Sequence, residues 1–244
     1  MRLLLALISC ALLSTGAHAA VSVPSIFGDH MVLQGEMELP VWGTASPGEA
    51  VAITLGDETV RTIADDLGKW DVKLSAQKRG NRTNLVIRGK DSSLRFTDVL
   101  IGEVWIGSGQ SNMRLPVWET TNAARELLRA NPEIRLFTVG LKSSPIPLED
   151  CEGEWIVCTP ENAAWFSAVL YHFGLELHKR LRCPVGLIHS SWNGTPAESW
   201  VSWEALEAEP LLKILVDQMK QEDTDYPESM ARYGQALLDW SKDA

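Results

Sequence analysis

Two patterns of hydrophobic and polar positions follow each other along the chain. Residues 51–55 (VAITL), 69–74 (KWDVKL) and 84–89 (NLVIRG) are short runs rich in branched and aromatic residues, and turn residues separate them. Short strands at this spacing indicate a small antiparallel β-sandwich over residues 20–98. No group of histidines, cysteines or carboxylates in this stretch suggests chemistry, so we expect it to serve in packing, orientation or glycan contact.

From residue 99 the pattern changes to alternating strands and helices. Three apolar runs predict strands, and they lie at 99–107 (VLIGEVWIG), 134–139 (IRLFTV) and 185–188 (VGLI). The first run suits a strand that is buried on both faces. Helical stretches are expected around 122–130 and within 196–242. This alternation predicts an α/β domain over residues 99–244, with a parallel sheet and helices on its faces.

The clearest helix is predicted from Pro160 to about Leu181. Thr159 is a suitable N-cap, and Pro160 suits the first turn. Apolar residues recur at helical spacing along one face, and they are Phe166, Val169, Leu170, Phe173, Leu177 and Leu181. We therefore expect this face of the helix to be buried.

The first 19 residues have the layout of a secretory signal peptide. Met1-Arg2 supplies a positive start, residues 3–13 (LLLALISCALL) form an apolar run, and Ala17-His18-Ala19 gives a cleavage site. A membrane anchor is the alternative, but the run is too short to span a bilayer. We expect an exported protein, secreted or periplasmic, or lysosomal or extracellular in a eukaryote, with no membrane association once the signal is removed.

Composition and charge narrow the class of protein further. The chain has 244 residues, of which 45% are hydrophobic and 22% charged, close to the average for soluble globular proteins. Its net charge is −10, and no polybasic run is present. A nucleic-acid binder needs a basic face, so no nucleic-acid partner is expected.

Three cysteines remain after removal of the signal. Cys151 and Cys158 are close enough in sequence to close a short disulfide loop, which export would permit. Buried free thiols that pack as small hydrophobic side chains, with Cys183 among them, are the other interpretation. The spacing matches no zinc site, and no metal is expected.

The segment 107–113 (GSGQSNM) is the first candidate for chemistry, and it follows a predicted strand. Functional groups of parallel sheets gather at the carboxyl ends of strands. Ser111 is expected to be exposed where a helix begins, and main-chain N–H groups there can stabilise a developing oxyanion. The spacing matches neither the dinucleotide fingerprint nor the Gly-x-Ser-x-Gly elbow. From residue types alone, a tight strand–helix turn with no catalytic role is an equally good interpretation of this segment.

The second candidate is the segment 188–196 (IHSSWNGTP), again between a predicted strand and a helix. Gly194 allows close approach of the backbone to a ligand, and its N–H is a candidate second oxyanion donor. Trp118, Trp192 and Trp200 lie in or near the two segments. Aromatic faces stack on sugar rings, although a packing role in the core is the other interpretation for each indole.

The two segments together resemble the sialate O-acetylesterase family. The resemblance rests on GEVWIGSGQSNMRLPV (102–117) and GLIHSSWNGTPAESW (186–200) and extends over nearly all of the chain after the signal. It implies a serine esterase with the flavodoxin-like parallel sheet of the SGNH-hydrolase superfamily. It also implies that Ser111 is the nucleophile and that the backbone N–H groups of Ser111 and Gly194 form the oxyanion hole.

Further residues of the motifs receive lesser roles from the same resemblance. Gln110, Asn112 and Glu198 match the family motifs and are assigned supporting roles. Asn193 stands where members usually have a glycine, and Arg114 stands where an acidic or amide residue is usual. Arg114 could alter the preference for substrate charge, so Arg114 and Trp192 are the candidates for substrate contact.

A serine becomes a good nucleophile only when a base removes its proton, usually a histidine oriented by a carboxylate. The resemblance implies that this base is an Asp–His pair near the carboxyl end of a considerably longer chain. We therefore expect residues 99–244 to form the amino-terminal part of a truncated esterase domain that lacks its base. His189 lies close to the second segment, but no aspartate is positioned by sequence to orient it.

Two functions remain open. The first is an exported carbohydrate O-acetylesterase that acts on an acetylated sugar or glycan without metal or organic cofactor, with only feeble hydrolysis by this chain alone. The alternative is an inert, truncated module that binds glycans or has no independent activity. Sialate, acetylated xylan and other decorated glycans are all possible substrates, and the sequence does not indicate the oligomeric state.

Overall fold

The structure is a computed structural model that describes residues 20–144 and 146–243. The strands are β1 (Val32–Gln34), β2 (Leu39–Thr44), β3 (Ala50–Leu55), β4 (Glu58–Ile63), β5 (Lys69–Leu74), β6 (Arg82–Arg88), β7 (Ser93–Gly109), β8 (Ile134–Thr138), β9 (Trp155–Val157) and β10 (Val185–Ser191). The α-helices are α1 (Ser111–Arg114), α2 (Ala123–Leu127), α3 (Pro160–Ala164), α4 (Ala168–Leu181), α5 (Trp203–Ala208) and α6 (Lys213–Asp243). Short 3-10 helices occupy Val117–Glu119 and Ala197–Trp200. The predicted signal peptide lies outside the described residues.

One large sheet mixes parallel and antiparallel strands. Its order is β4-β3-β6-β7-β10-β8-β9, with β1 beside β7. The long strand β7 is antiparallel to β6 and parallel to β1 and β10. Strand β8 is parallel to β10, and β9 completes the edge antiparallel to β8. The predicted α/β class is confirmed at this level, whereas the flavodoxin-like assignment and the truncation stay predictions.

In the amino-terminal part, alternation of apolar and polar residues places each strand. Along β5, Trp70, Val72 and Leu74 are buried while the residues between them are exposed. Strand β2 pairs with β5 in a separate two-stranded sheet and alternates in the same way. The buried side chains of this pair share one hydrophobic cluster with Ile53 of β3 and Ile87 of β6. The predicted strands are thus confirmed, whereas a separate sandwich domain stays a prediction.

Strand β7 continues through the proposed domain boundary between residues 98 and 99. Asp98 has a φ of 55°, and the register against β6 shifts close by, so the strand is bulged here. The carboxylate of Asp98 accepts a hydrogen bond from Nη1 of Arg135 at 2.6 Å and also pairs with Arg82 and His30. Arg135 comes from β8 and is 1% exposed. This ion cluster therefore ties the strands on both sides of the boundary together.

Hydrogen bonding controls the charge of this junction. Burial raises the pKa of Asp98, but the hydrogen bonds from Arg135 and His30 outweigh that effect and hold the pKa at about 2. The carboxylate is therefore ionised at neutral pH and compensates the buried guanidinium. The division of the chain into two domains stays a prediction.

Helix α4 lies very close to the parallel strands because glycines leave room for it. A Cβ at Gly107 of β7 would come within 2.5 Å of Leu170, and a Cβ at Gly174 of the helix would come within 2.5 Å of Leu187 in β10. Leu170, Leu187 and the buried Tyr171 belong to a second hydrophobic cluster between helix and sheet. Each such side chain contributes about 1.5–3 kcal/mol of burial free energy.

The single helix predicted over 160–181 is observed as two helices. Helix α3 ends after five residues, and Ser167 caps α4 because its Oγ accepts a hydrogen bond from the N–H of Leu170 at 3.2 Å. Because α4 starts anew at Ala168, the residues after the break do not continue the helical face that was predicted from Pro160. Val169, Phe173 and Leu181, which were predicted to be buried, are 48%, 38% and 46% exposed. The predicted buried face was therefore wrong in part.

The strand predicted over 99–107 is observed, but it is not buried on both faces along its whole length. Val99 and Ile101 are fully buried, whereas Trp105 is 43% and Ile106 is 69% exposed. Trp105 packs edge-on against Phe173, with ring centroids 5.2 Å apart. The apolar run predicted the strand correctly and its burial only in the first half.

The three cysteines are free thiols, so the disulfide between Cys151 and Cys158 is not formed. Cys158 and Cys183 are buried, and Cys151 is partly buried. Burial raises the pKa of each thiol, which keeps it protonated and unreactive at neutral pH.

Helices α5 and α6 pack on each other at the end of the chain. Most residues of α6 are exposed, and charged side chains are spread along it. Over residues 20–144 and 146–243, no helix combines the length and the apolar character that crossing a membrane would require.

Candidate active site

The two segments that carry the family motifs meet at one edge of the sheet. Strands β7 and β10 are parallel and stay paired up to Gly109 and Ser191, where both end. The N–H of Trp192 then donates a hydrogen bond to the carbonyl oxygen of Gly109 at 3.0 Å. Because parallel strands end at the same edge, the turn before α1 and the loop after β10 become neighbours.

A cavity of about 670 Å³ opens at this edge. Its walls come from the turn at α1, the ends of β8 and β10 and the break between α3 and α4. The lining residues are Ser111, Arg114, Leu115, Pro116, Trp118, Glu119, Thr138, Val139, Gly140, Leu141, Trp165, His189, Ser191 and Asn193. The volume is in the range of small-molecule sites.

Ser111 is exposed and is the first residue of α1. Its hydroxyl donates a hydrogen bond to Oε1 of Gln110 at 2.8 Å, and its N–H donates to the same oxygen at 3.2 Å. In the described part of the chain, Gln110 is therefore the side chain that holds the Ser111 hydroxyl.

His189 and Ser191 form a buried pair in the wall of the same cavity. They lie two residues apart on β10 and so share one face of the strand. Nε2 of His189 is 2.5 Å from Oγ of Ser191, and both residues are 6% exposed. The ring of Phe166 meets the imidazole nearly at right angles, with centroids 5.4 Å apart. The sequence did not single out Ser191, although the period of two at a strand end was the signal that could have found it.

The imidazole of His189 is neutral at pH 7. Burial is the main cause that lowers its pKa, and the positive charge of Arg114 lowers it further, to about 4. The neutral imidazole forms a hydrogen bond with Ser191 through Nε2, as donor or acceptor according to its tautomer. It carries no charge that could attract an ionic ligand.

Arg114 brings an uncompensated positive charge to the cavity. It is half-buried, and its Nη1 donates to the carbonyl oxygen of Ser191 at 3.3 Å. Within the described residues it forms no ion pair. The other unpaired arginines of that part of the chain are exposed, and they are Arg61, Arg88, Arg95, Arg125 and Arg182. Desolvated cations attract anions, so this guanidinium favours a ligand with negative charge.

Two indoles form an aromatic wall. Trp118 is 48% and Trp165 is 77% exposed, and their ring centroids are 5.6 Å apart with an interplanar angle of 57°. Surfaces of this kind offer apolar area to the faces of sugar rings at little entropic cost.

The remaining residues predicted for the site are not among those that line the cavity. Gly194 follows Asn193 and has a φ of 75°, a conformation that favours glycine. Asn112, Trp192 and Glu198 are not part of the lining. The structure thus brings Ser111 and Arg114 together with His189 and Ser191, while the chemical roles of all these residues stay predictions.

Comparisons with curated proteins give consistent results. The chain is 35% identical to sialate O-acetylesterase of Rattus norvegicus in an alignment of 226 positions that covers 84% of this chain and 42% of the relative. It is 36% identical to sialate O-acetylesterase of Homo sapiens in an alignment of 205 positions that covers 75% of this chain and 39% of the relative. The chain therefore spans about two fifths of the length of these relatives.

A solved structure is similar as well. It is a carbohydrate acetylesterase from Xanthomonas citri, with a TM-score of 0.75 and 33% identity, over 77% of this chain and 44% of the other. No family model matches the chain. The chain is therefore similar in sequence to the sialate O-acetylesterases and in structure to this carbohydrate acetylesterase.

Proposed function

We propose that this chain carries the nucleophile and part of the oxyanion hole of an exported carbohydrate O-acetylesterase. The observation that carries the proposal is the exposed hydroxyl of Ser111 at the end of β7, in a cavity of about 670 Å³. The names of the related proteins support an acetyl ester of a sugar as the substrate.

The reaction is an acyl transfer in two steps. Oγ of Ser111 attacks the carbonyl carbon of the acetyl group, the bond from that carbon to the sugar oxygen breaks, and the sugar leaves as an alcohol that has gained a proton. Water then attacks the acetyl-serine, which releases acetate and restores the Ser111 hydroxyl. Neither step requires a redox partner or a cofactor.

Negative charge develops on the carbonyl oxygen during both steps. The N–H groups of Ser111 and Gly194 are the proposed donors, each contributing on the order of 3 kcal/mol to the transition state. The N–H of Ser111 now donates to Oε1 of Gln110, so a substrate oxygen would take the place of that amide oxygen. In the absence of substrate, the side chain of Gln110 thus occupies the N–H of Ser111.

The base that accepts the Ser111 proton is proposed to come from outside the described residues. His189 lines the cavity, but its Nε2 is engaged with Ser191, and its pKa of about 4 makes it a weak base. Turnover by this chain alone is expected to be slow, because a site without its base retains only the contribution of binding and the oxyanion donors.

Contacts to the sugar are proposed from Arg114 and from the aromatic side chains around the site. The unpaired guanidinium of Arg114 suits a sugar that carries a carboxylate. Trp192 is the aromatic residue that the motif suggests, and Trp118 and Trp165 add a wall on which a ring can stack. Asn112 and Glu198 are proposed to support the two loops.

Covalent labelling with a fluorophosphonate tests the nucleophile without requiring turnover. The Ser111 oxygen forms a bond to phosphorus, fluoride leaves, and the hydroxyl proton goes to solvent. Because the proposed base lies outside the described residues, we expect slow labelling with excess reagent, which intact mass and peptide mapping should locate on Ser111, and we expect Ser111→Ala to remain unlabelled. Ser108→Ala removes the exposed hydroxyl of a residue near the end of β7 and should label like the parent chain. Labelling that persists in Ser111→Ala, or that maps to Ser191, would contradict the proposal.

A non-catalytic glycan-binding module is the second candidate. It is favoured by the two hydrogen bonds from Ser111 to Gln110, which engage both polar groups of the residue with a neighbour rather than a base. The same labelling experiment separates the two functions, because a binding module would bind acetylated sugar and leave Ser111 unlabelled.

A further inference from the structure

A second cavity lies on the outer side of the β2–β5 sheet and belongs to no part of the candidate active site. Its volume is about 490 Å³, and it shares no lining residue with the cavity at Ser111. Its walls come from β2 and β5, the segment before β1 and the segment at residues 149–150. We call it the Trp42 cavity after its most exposed aromatic residue.

Trp42 provides a fixed aromatic platform. The alternation along β2 turns its side chain outward, and it is 41% exposed. The buried ring of Phe27 meets the indole nearly at right angles, with centroids 4.8 Å apart and an interplanar angle of 75°. The indole is therefore held from one side while much of its surface stays accessible, which suits stacking against an apolar face of a ligand.

Polar groups surround this platform and are positioned by contacts of their own. Asp65 accepts hydrogen bonds from two main-chain N–H groups at 2.8 Å each, and Lys69 forms an ion pair with Glu149. Asp71 lies directly opposite Trp42 in the register of the two strands, and within the described residues it forms no ion pair. The site thus offers one uncommitted carboxylate beside the indole.

The cavity also contains donors. The hydroxyls of Ser22 and Thr44 lie 2.7 Å apart, so one donates to the other and the second keeps its proton for a ligand. Trp70 also lines the cavity, but it is 3% exposed and its side chain packs in the hydrophobic cluster on the inner face of β5, so it is not counted among these donors.

Donors and acceptors around an aromatic platform match the surface of a sugar. A pyranose ring has apolar C–H faces for stacking and hydroxyls that both donate and accept. A cationic ligand would use the indole and the carboxylates but would offer no acceptor to the hydroxyl donor of the Ser22–Thr44 pair. We therefore propose that the Trp42 cavity is a second carbohydrate-binding site, which takes uncharged sugar units of a glycan. It is independent of the chemistry at Ser111.

Titration calorimetry with the chain after removal of the signal tests this site, with xylotetraose and cellotetraose as probes. We expect saturable binding of at least one of them, weakened about tenfold or more in Trp42→Ala, because one central aromatic residue carries much of the affinity of such sites. Trp42→Phe should keep most of the affinity. Asp71→Asn, which preserves shape, should weaken binding about three- to tenfold through the loss of a charged acceptor.

Matched variants separate this site from the one at Ser111. Trp240→Ala removes another exposed indole that lines neither cavity and should leave binding unchanged, as should Ser111→Ala. Circular dichroism of each variant confirms that it is folded. Absence of binding for both oligosaccharides would overturn the proposal, and so would equal binding by folded Trp42→Ala. Binding that depends on Trp42 for tetramethylammonium but not for the sugars would identify a cation site instead and also overturn it.

Discussion

The strands of the amino-terminal part and the second half of β7 bury their apolar residues very differently. In β2 and β5 every second side chain is buried and the others face solvent. In β7 the apolar run continues past the bulge at Asp98, yet Trp105 and Ile106 are 43% and 69% exposed. The first region buries the apolar side chains of one face and exposes Trp42 on the other, whereas the second exposes two successive large apolar side chains next to its candidate site.

The difference shows what a hydrophobic pattern can predict. Alternation specifies which face of a strand is buried, because successive side chains point to opposite faces. A continuous apolar run specifies only that a strand can be buried, and the elements packed on it decide whether it is. The comparison can be tested by stability measurements on both regions.

The largest effect is expected from a matched pair of isoleucines. Ile53→Ala in β3 empties a site that is 0% exposed and should lower the free energy of unfolding by about 2–5 kcal/mol. Ile106→Ala in β7 starts from 69% exposure and should change it by no more than about 0.5 kcal/mol. Urea denaturation followed by circular dichroism measures both. Similar losses in the two variants would show that β7 is as well covered as β3.

A smaller effect is expected from the buried imidazole of the second region. The pKa of His189 is about 4 when folded and close to its ordinary 6.5 when unfolded. Between these values the unfolded chain binds more protons, so stability is complete above pH 6.5 and is lost as pH falls toward 4. The loss should reach about 3 kcal/mol.

The control for this effect is His189→Asn, which keeps a polar group near Ser191 but does not titrate. Urea denaturation at pH 4, 5, 6 and 7 should show that the parent chain loses more stability than the variant over this interval. Parallel pH profiles would mean that His189 is not held neutral by its surroundings.

The smallest effect concerns the junction between the two regions. The pKa of Asp98 is about 2 in the folded chain, against an ordinary 3.8. The native state therefore gains stability from the ionised carboxylate above pH 4 and loses it as pH falls through 2. The change should be about 1 to 2 kcal/mol. Thermal unfolding between pH 4 and 2 measures it, and Asp98→Asn should flatten this part of the profile. An unchanged profile in the variant would exclude Asp98 as its source.

The elements of the fold were predictable in part, and the errors have local causes. Six of the ten strands in the described residues were predicted at least in part, and they are β3, β5, β6, β7, β8 and β10. The strands β1, β2, β4 and β9 were not predicted. The helix over 160–181 failed as a single element because the side chain of Ser167 caps a new helix inside it. Propensity and periodicity describe a helix once its start is known, and a cap in the middle of the pattern changes that start.

The candidate site was predictable in its location and only partly in its composition. Ser111 and Arg114 belong to a motif that follows a strand, and they line the cavity as expected for that position. The pair of His189 and Ser191 was missed because its meaning depends on burial by Phe166 and on the charge of Arg114, and both come from distant parts of the chain. The family resemblance identified segments rather than contacts.

The sequence by itself determined the alternating strands, the turn residues and the positions of the two motifs after apolar runs. These features depend on the backbone geometry of a few consecutive residues, which neighbouring side chains largely decide. The tertiary structure alone decided that β7 and β10 end side by side and that Trp42 and Asp71 border one cavity. It also decided that Arg114, which forms no ion pair within the described residues, lies near a neutral His189. Those outcomes arise from pairing and packing between residues far apart in the chain, where contact with a distant element sets burial, charge and hydrogen bonding.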